Sequence, residues 1–289
     1  MMKNLLRSID QSPALSQIIP LALTVVVLII LLAILHAALV IFNMLPVKIP
    51  IVLQIHAVDV IVGITIYLKT SIDFAIFMGR LMTTYQGWRN RVAIEIGTAL
   101  GNAVGTIAVI GLWVMFKDIH ILLAIMVFLA ALVLFELAHG SLDHFSNWEH
   151  DGRVKKLIYR SLEQLLGFIT RLTEPVLSRI MPDLGEKLKG KTGLSWKKLL
   201  GFSASVPFIL GLDDFAGYVP LFSVVNVYGF AIGVITAHTI LNISLFLSPR
   251  WTIKAVKNEY ISFAGTVAFL GLALYGIWES AKLLVTMIH

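Results

Sequence analysis

Two adjacent aspartates, Asp213 and Asp214, lie inside an apolar run from about 198 to 225. A charge at the centre of a membrane helix costs about 2.5–3.5 kcal/mol on insertion scales, so it usually marks a pathway or an ion pair. Neighbours on an unbroken helix point in different directions, and both carboxylates would then not face one cavity. Residues that break or bend helices bracket the pair: Pro207, Gly211, Gly217 and Pro220. We therefore predict a discontinuous helix whose two carboxylates line a polar cavity; the alternative is one aspartate paired with a cation and the other beside a water-filled vestibule.

The run from about 50 to 82 contains two further pairs of polar groups. His56 and Asp59 are three residues apart and are predicted to share a helix face, where imidazole and carboxylate suit a divalent ion such as Zn, Mn, Fe or Ni. The alternative is a hydrogen-bonded pair that orients the helix. Lys69 and Asp73 are four residues apart, which most simply predicts an internal salt bridge.

Glycines at four-residue spacing occur in two later runs, Gly97–Gly101–Gly105 and Gly229–Gly233, and small residues at this spacing let membrane helices pack closely. Close packing would bring Asn102 and His238 next to the carboxylate helices. The predicted metal-binding residues are thus Asp213, Asp214, Asp73, Asp59, His56, His238 and Asn102. Another group is predicted to be a solvated helix end, with a metal entry or sensing site as the alternative: His139, Asp143, His144 and His150.

The composition determines the class of elements that must hold these groups. Of 289 residues, 58% are hydrophobic and 14% are charged, against roughly 25% charged in a soluble domain. The mean hydropathy is +0.87. The absence of cysteine excludes disulfides and thiolate metal sites. We therefore expect an all-α polytopic membrane protein that uses oxygen and imidazole ligands, with no nucleic-acid partner despite the net charge of +6.

About seven transmembrane helices are predicted, because a hydrocarbon core of about 30 Å needs about 20 apolar residues per helix. The apolar runs lie near 18–42, 50–82, 91–116, 119–140, 198–225, 228–248 and 260–287. The second run is long enough for a tilted or broken span, or for one span with a short helix at the membrane edge. The first run is too long for a signal-peptide core and is predicted to be a retained anchor.

Lysine and arginine counts predict the orientation. Nineteen fall in the N-terminus and in alternate loops and three in the other loops, which predicts a cytoplasmic N-terminus and an external C-terminus in a bacterial-type inner membrane. Eleven of them lie in the central connection, 145–198. Apolar residues recur there every three or four positions from Val154 to Ile180, which favours an amphipathic helix on the cytoplasmic surface over a small soluble hairpin.

Three spans precede the central connection and three follow it, after one extra N-terminal helix. An odd number of spans per half is typical of an inverted repeat. We predict an N-terminal helix (1–48), a first three-helix repeat (49–144), a cytoplasmic linker (145–197) and a second three-helix repeat (198–289). Two registers remain open: one aligns Asp73 with Asp214, the other aligns Asp59 with Asp213.

These features resemble the superfamily of small exporters that includes the lysine exporter, cadmium-resistance, TerC-like and manganese/calcium exporter families. The matching segments are Ser71-Ile72-Asp73-Phe74 and Leu212-Asp213-Asp214-Phe215, together with the glycine-spaced helices, over about 50–287. The resemblance implies secondary export, with acidic residues of both halves meeting at a central ion site. The manganese/calcium signature is absent, since Glu95-Ile96-Gly97-Thr98 departs from it at the fourth residue.

The sequence thus predicts a non-enzymatic secondary transporter that exports a small cation, favoured as divalent, and holds no resident cofactor. The expected partners are the lipid bilayer and the transported ion, with a homodimer left open. One alternative is an amino-acid exporter of the same architecture. Another is an intramembrane metalloenzyme, suggested by His238-x-x-x-Asn242 and Glu136-x-x-His139. A scaffold that recruits partners through the linker helix is less favoured, because it has no use for buried carboxylates.

Overall fold

The computed structural model describes residues 12, 14–46, 48–85, 87–180, 194–210 and 218–286, without the side chains of 73, 176–180, 208–210 and 256. The described residues form helices and short connections only, which confirms the all-α prediction. Among the described residues, five helices are long and apolar enough to cross a membrane, or six if one bent pair is counted as a span. The predicted span at 198–225 would be one more, but residues 211–217 within it lie outside the described part, so the count of seven stays a prediction.

The described residues form ten α-helices. They are α1 (Leu15–Asn43), α2 (Ala57–Thr70), α3 (Ile72–Thr84), α4 (Trp88–Phe116), α5 (His120–Gly140), α6 (Arg153–Ile180), α7 (Trp196–Leu210), α8 (Val227–Leu247), α9 (Pro249–Val256) and α10 (Glu259–Val285). Two 3₁₀ helices, Ser141–Glu149 and Val219–Ser223, follow α5 and precede α8. Asn226 and Asn258 start α8 and α10, because each side-chain oxygen accepts hydrogen bonds from two backbone N–H groups of the first turn.

The second apolar run is a broken helix, one of the forms predicted for it. The helix pair α2 and α3 bends by 68° around Ser71. The hydroxyl of Thr70 donates a hydrogen bond to the carbonyl of Tyr67, and such local bonds compete with the helix ladder. The break leaves Lys69 and Thr70 at the end of α2, facing the end of α5 across a cavity.

Helices α2 and α8 pack side by side through two glycines. A Cβ on Gly229 would lie 2.8 Å from the Asp59 Cβ, and one on Gly233 would lie 3.0 Å from the Gly63 Cα. Both contacts advance in the same direction along the two helices, so α2 and α8 run parallel. Because the backbones approach this closely, the glycines act as packing residues, as predicted.

Helices α4 and α7 form a second parallel pair of the same kind. A Cβ on Gly97 would lie 2.7 Å from the Ser203 Cβ, and one on Gly101 would lie 3.1 Å from the Pro207 Cδ. Helix α4 runs antiparallel to α8, since the guanidinium of Arg91, near the start of α4, stacks 5.1 Å from the ring centre of Phe246, near the end of α8.

The third major pair is antiparallel and joins α5 to α10. The hydroxyl of Ser280 donates to the carbonyl of Ala124 at 2.9 Å, and a Cβ on Gly276 would lie 2.9 Å from the Ala131 Cβ. Helix α1 packs on α4 and α8, so it bridges the two parallel pairs. Its one titratable residue, His36, lies 3.2 Å from the hydroxyl of Tyr228 on α8.

One end of the helix bundle contains the starts of α4, α7 and α10 and the ends of α2, α5 and α8. We call this end of the bundle the basic end. The predicted amphipathic helix is present there as α6, and its buried residues Tyr159 and Leu166 pack with Phe145 and Trp148. A second apolar stripe of α6 is exposed, at Val154, Leu157, Leu165, Phe168 and Leu172. The helix is thus confirmed, whereas its position on a membrane surface stays a prediction.

Candidate functional site

A buried histidine on α8 joins the two helices of the first parallel pair. His238 is 1% exposed, and its Nδ1 lies 2.5 Å from the hydroxyl of Tyr67 on α2. The ring of Phe74, on α3, lies 5.2 Å from the imidazole ring. His238 on α8 is therefore contacted by both α2 and α3, near the break between these two helices.

The same histidine continues into a chain of hydrogen bonds that reaches α4. The Nδ2 group of Asn242 lies 2.9 Å from His238 Nε2 and 3.1 Å from the hydroxyl oxygen of Thr98. Thr98 donates its own proton to the carbonyl of Ile94. The amide of Asn242 thus uses both of its protons, one on the imidazole and one on the threonine.

This pattern of contacts can be satisfied by one protonation state of His238. If Asn242 donates to Nε2, that nitrogen is an acceptor, and Nδ1 carries the proton toward Tyr67. His238 is then a neutral imidazole with both ring nitrogens bonded. A metal ion could bind it only after one of these bonds opens.

Two amide atoms beside this chain have no hydrogen-bond partner among the described residues. They are the Nδ2 of Asn102, a residue that is 2% exposed, and the Oδ1 of Asn242. Buried polar groups are usually satisfied by protein or water, because leaving one unpaired costs about 1–3 kcal/mol. The donor and the acceptor are therefore available to water or to a polar solute in the core.

A second polar contact lies between α4 and α1. The carboxylate oxygen Oε2 of Glu95 lies 2.6 Å from the hydroxyl oxygen of Thr24, and both residues are buried. No described cation lies within 4.0 Å of Glu95. The nearest basic residue along α4, Arg91, stacks on Phe246 instead.

An open cavity of about 190 Å³ lies at the basic end, between the end of α2 and the end of α5. Lys69 and Glu136 both line it, together with Thr70 and Ser141. The Nζ of Lys69 and the Oε2 of Glu136 are buried without a hydrogen-bond partner in the described part of the chain. The cavity thus presents one positive and one negative group that are not paired with each other.

The residues predicted from the sequence fall into three groups. His238 and Asn102 lie in the buried core beside Tyr67, Thr98 and Asn242. His56 and Asp59 lie at the opposite end of α2, away from that core. Asp213, Asp214 and the side chain of Asp73 lie outside the described residues, so the convergence of carboxylates and the Lys69–Asp73 salt bridge stay predictions.

One expectation about local geometry is wrong. His56 does not share a helix face with Asp59, because it precedes α2 with an extended backbone (φ −107°, ψ 132°) and its carbonyl accepts the Asp59 N–H. The imidazole is exposed, whereas Asp59 is half-buried against Gly229. Where the chain is described, no three His, Asp or Glu side chains come close enough to hold a metal ion.

Sequence reasoning missed three residues of these networks, namely Tyr67, Thr98 and Thr24. Each stands in an apolar run, where tyrosine and threonine are ordinary helix residues and carry no signal of their own. His238 and Asn242 are four residues apart, and this spacing could have indicated a network on one face of α8.

Comparison with protein-family models, with curated proteins and with solved structures finds no match to this chain.

Proposed function

We propose that this chain is a secondary transporter of a small cation, with a divalent metal ion as its predicted cargo and export as its predicted direction. In this proposal the two three-helix repeats, 49–144 and 198–289, are related by a two-fold axis in the membrane plane. Alternating access then arises when one parallel helix pair moves against the other.

The observation that carries the proposal is the reciprocal packing of the two glycine helices. The first helix of each half packs parallel to the second helix of the other half, as α2 on α8 and α7 on α4. The third helices, α5 and α10, pack on each other in antiparallel fashion. This exchange of partners supports the proposed two-fold relation between the halves, because such an axis would map each of the two parallel helix pairs onto the other.

The contacts also agree residue by residue. On α4, Gly97 approaches Ser203 and Gly101 meets the carbonyl of Ala204. On α8, Gly229 approaches Asp59 and Gly233 meets the carbonyl of Val60. A single offset of 132 residues relates the glycines (97 to 229, 101 to 233), and a single offset of 144 relates their partners (59 to 203, 60 to 204).

The offset of 144 supports neither register that the sequence suggested. Those registers align Asp73 with Asp214, at 141, and Asp59 with Asp213, at 154. When the same offset of 144 residues is applied further along the chain, Lys69 aligns with Asp213 instead. A lysine in one half would then correspond to a carboxylate in the other, so the ion site would draw unequally on the two repeats.

The chemistry of the core supports a hydrated or polar cargo. The unpaired amide atoms belong to Asn102 on α4 and Asn242 on α8, and the amide of Asn242 also contacts the imidazole of His238. With no thiols in the chain, the predicted aspartates favour a hard or borderline cation.

Purified protein in liposomes tests the proposal. Mn²⁺, Zn²⁺, Cd²⁺ and Ca²⁺ gradients should be screened for ion flux and for coupled proton movement in the opposite direction. We expect flux of at least one ion, loss of flux in Asp214→Asn, and normal flux in Asp151→Asn, which alters an aspartate that is exposed outside the helices. Undiminished flux in Asp214→Asn would remove that residue from the site. Tightly retained metal with no flux of any ion would favour the metalloenzyme alternative.

A further inference from the structure

Glu95 is a buried acid whose surroundings suit its protonated form. It is 2% exposed, and its Oε1 has no hydrogen-bond partner among the described residues. Its Oε2 lies 2.6 Å from the hydroxyl oxygen of Thr24, which is itself buried on α1. A carboxylate with one neutral neighbour in an apolar core would be strongly disfavoured, because a buried charge needs a partner.

The position of the hydroxyl proton of Thr24 decides between the two forms of Glu95. The Thr24 hydroxyl oxygen also lies 2.9 Å from the carbonyl of Pro20, one turn earlier in α1. A carbonyl can only accept, and a hydroxyl has one proton to donate. If Thr24 donates to Pro20, the short contact with Glu95 is a hydrogen bond only when Glu95 donates. We propose that Glu95 is a proton-binding site that, in this conformation, carries a proton on Oε2 and donates it to Thr24.

The ionised form also has a partner within reach. Arg91 lies one turn before Glu95 on α4, and its Nε is buried without a hydrogen-bond partner among the described residues. Its guanidinium lies on the ring of Phe246 and forms no ion pair with Glu95 in this conformation. A carboxylate and an arginine four residues apart on a helix can pair directly.

The other charged groups around α4 leave Arg91 as this partner. On α8 the nearest titratable group is the neutral His238, which is bonded to Tyr67 and Asn242. Helix α7 brings only Lys197 and Lys198, both exposed. Helix α3 brings the exposed Arg80, besides Asp73, whose side chain lies outside the described residues. The titratable residues of α5 have other surroundings. His120 begins the helix at the end opposite Glu95, Glu136 lines the cavity with Lys69, and His139 lies against Gly167 of α6. On α1, His36 is three turns away from Thr24.

Release of the proton therefore exchanges one set of contacts for another. The O–H bond of Glu95 breaks, the proton passes to water, and the carboxylate pairs with Arg91. Arg91 then leaves Phe246, and α1 loses its bond to α4 while keeping its contact with α8 through His36 and Tyr228. The site deepens the proposed function, on which its role in coupling rests, but proton binding itself can be measured without transport.

Infrared spectroscopy of the full chain in lipid nanodiscs tests the site directly. We expect the C=O stretch of a protonated carboxylic acid at neutral pH, absent in Glu95→Gln and titrating to carboxylate at higher pH. If Glu95→Gln does not fold, Glu95→Asp identifies the band by its altered frequency.

The titration midpoint of Glu95 in two variants shows whether Glu95 donates to Thr24 or accepts from it. Thr24→Val removes a bond made only by the protonated acid, so the titration midpoint should fall by about half to one pH unit. Arg91→Gln removes the partner of the carboxylate, so the midpoint should rise. Thr24→Ser should keep the original midpoint. Thr239→Val, which alters another buried threonine bonded to its own helix, should keep it too.

Two outcomes would overturn the proposal: no Glu95-dependent acid band at neutral pH, or a midpoint that rises in Thr24→Val, as for a carboxylate that accepts from Thr24. A band that behaves as expected in a protein without ion flux would support the proton site and reject the transporter proposal. Ion flux without the band would support the transporter proposal and reject the proton site.

Discussion

Tyr67 and His238 are 171 residues apart, yet the tyrosine hydroxyl lies 2.5 Å from the imidazole Nδ1 in the buried core. The bond joins α2 to α8, and the bonds of Asn242 extend it to α4. Helices α2, α4 and α8 are thus joined by one polar chain. Such a chain is costly to interrupt, because each buried group depends on its neighbours for its hydrogen bonds.

Loss of the Tyr67 hydroxyl should therefore destabilise the protein. In Tyr67→Phe the imidazole Nδ1–H loses its acceptor, and we expect a loss of about 1–3 kcal/mol in the free energy of unfolding. Thermal unfolding in detergent measures this as a lower Tm. Tyr275→Phe is the control, because the half-buried Tyr275 makes no hydrogen bond to the described residues. Equal Tm values for the two variants would show that the Tyr67–His238 bond contributes nothing.

The two glycine contacts should respond alike to substitution. In Gly233→Ala the new methyl group would overlap the carbonyl of Val60, and in Gly101→Ala it would overlap that of Ala204. We expect each variant to lose about 1–3 kcal/mol, as is typical of overpacked cores. The Tm of purified protein is the measurement.

Gly271 of α10 provides the matched control for these variants. A Cβ at that position meets no atom within 4 Å, so Gly271→Ala should leave the Tm unchanged or raise it slightly. Destabilisation by only one of the two substitutions, Gly233→Ala or Gly101→Ala, would contradict the reciprocal packing.

The orientation can be tested with single cysteines, because the chain contains none of its own. Gln164 is exposed on α6 and Thr286 is exposed just after α10. With a cytoplasmic N-terminus, Gln164→Cys should react with a membrane-impermeant thiol reagent only after cells are opened. Thr286→Cys should react in intact cells. The reversed pattern would invert the predicted orientation.

Local patterns in the sequence predicted the helical elements well. The glycine spacing indicated the close helix contacts. The length of the run at 50–82 allowed a tilted span, a broken span or a span with a short edge helix, and the structure has a break at Ser71. The three-to-four-residue periodicity after Val154 predicted α6. Each of these signals lies within one helix, where spacing alone determines which residues share a face.

The sequence could not predict contacts that depend on how distant helices meet. Tyr67, Thr98 and Thr24 become functional candidates only because His238, Asn242 and Glu95 lie opposite them. The wrong expectation for His56 has a local cause: α2 begins at Ala57, so His56 precedes the helix and its side chain is not on a helix face.

Transport by alternating access requires the two helix pairs, α2–α8 and α4–α7, to move against each other. Spin labels can follow this motion by double electron–electron resonance. Val58 on α2 and Met115 on α4 are exposed at the end opposite the basic end, and Leu247 on α8 and Lys197 on α7 are exposed at the basic end. Each label pair thus spans both helix pairs.

Labelled protein in nanodiscs should be compared at low and high pH, with and without the transported ion. We expect the two distances to change in opposite directions between conditions. Where the Val58–Met115 distance is longer, the Leu247–Lys197 distance should be shorter, and where the first is shorter the second should be longer. Distances that stay fixed in every condition, or that lengthen together at both ends, would contradict alternating access by the two repeats.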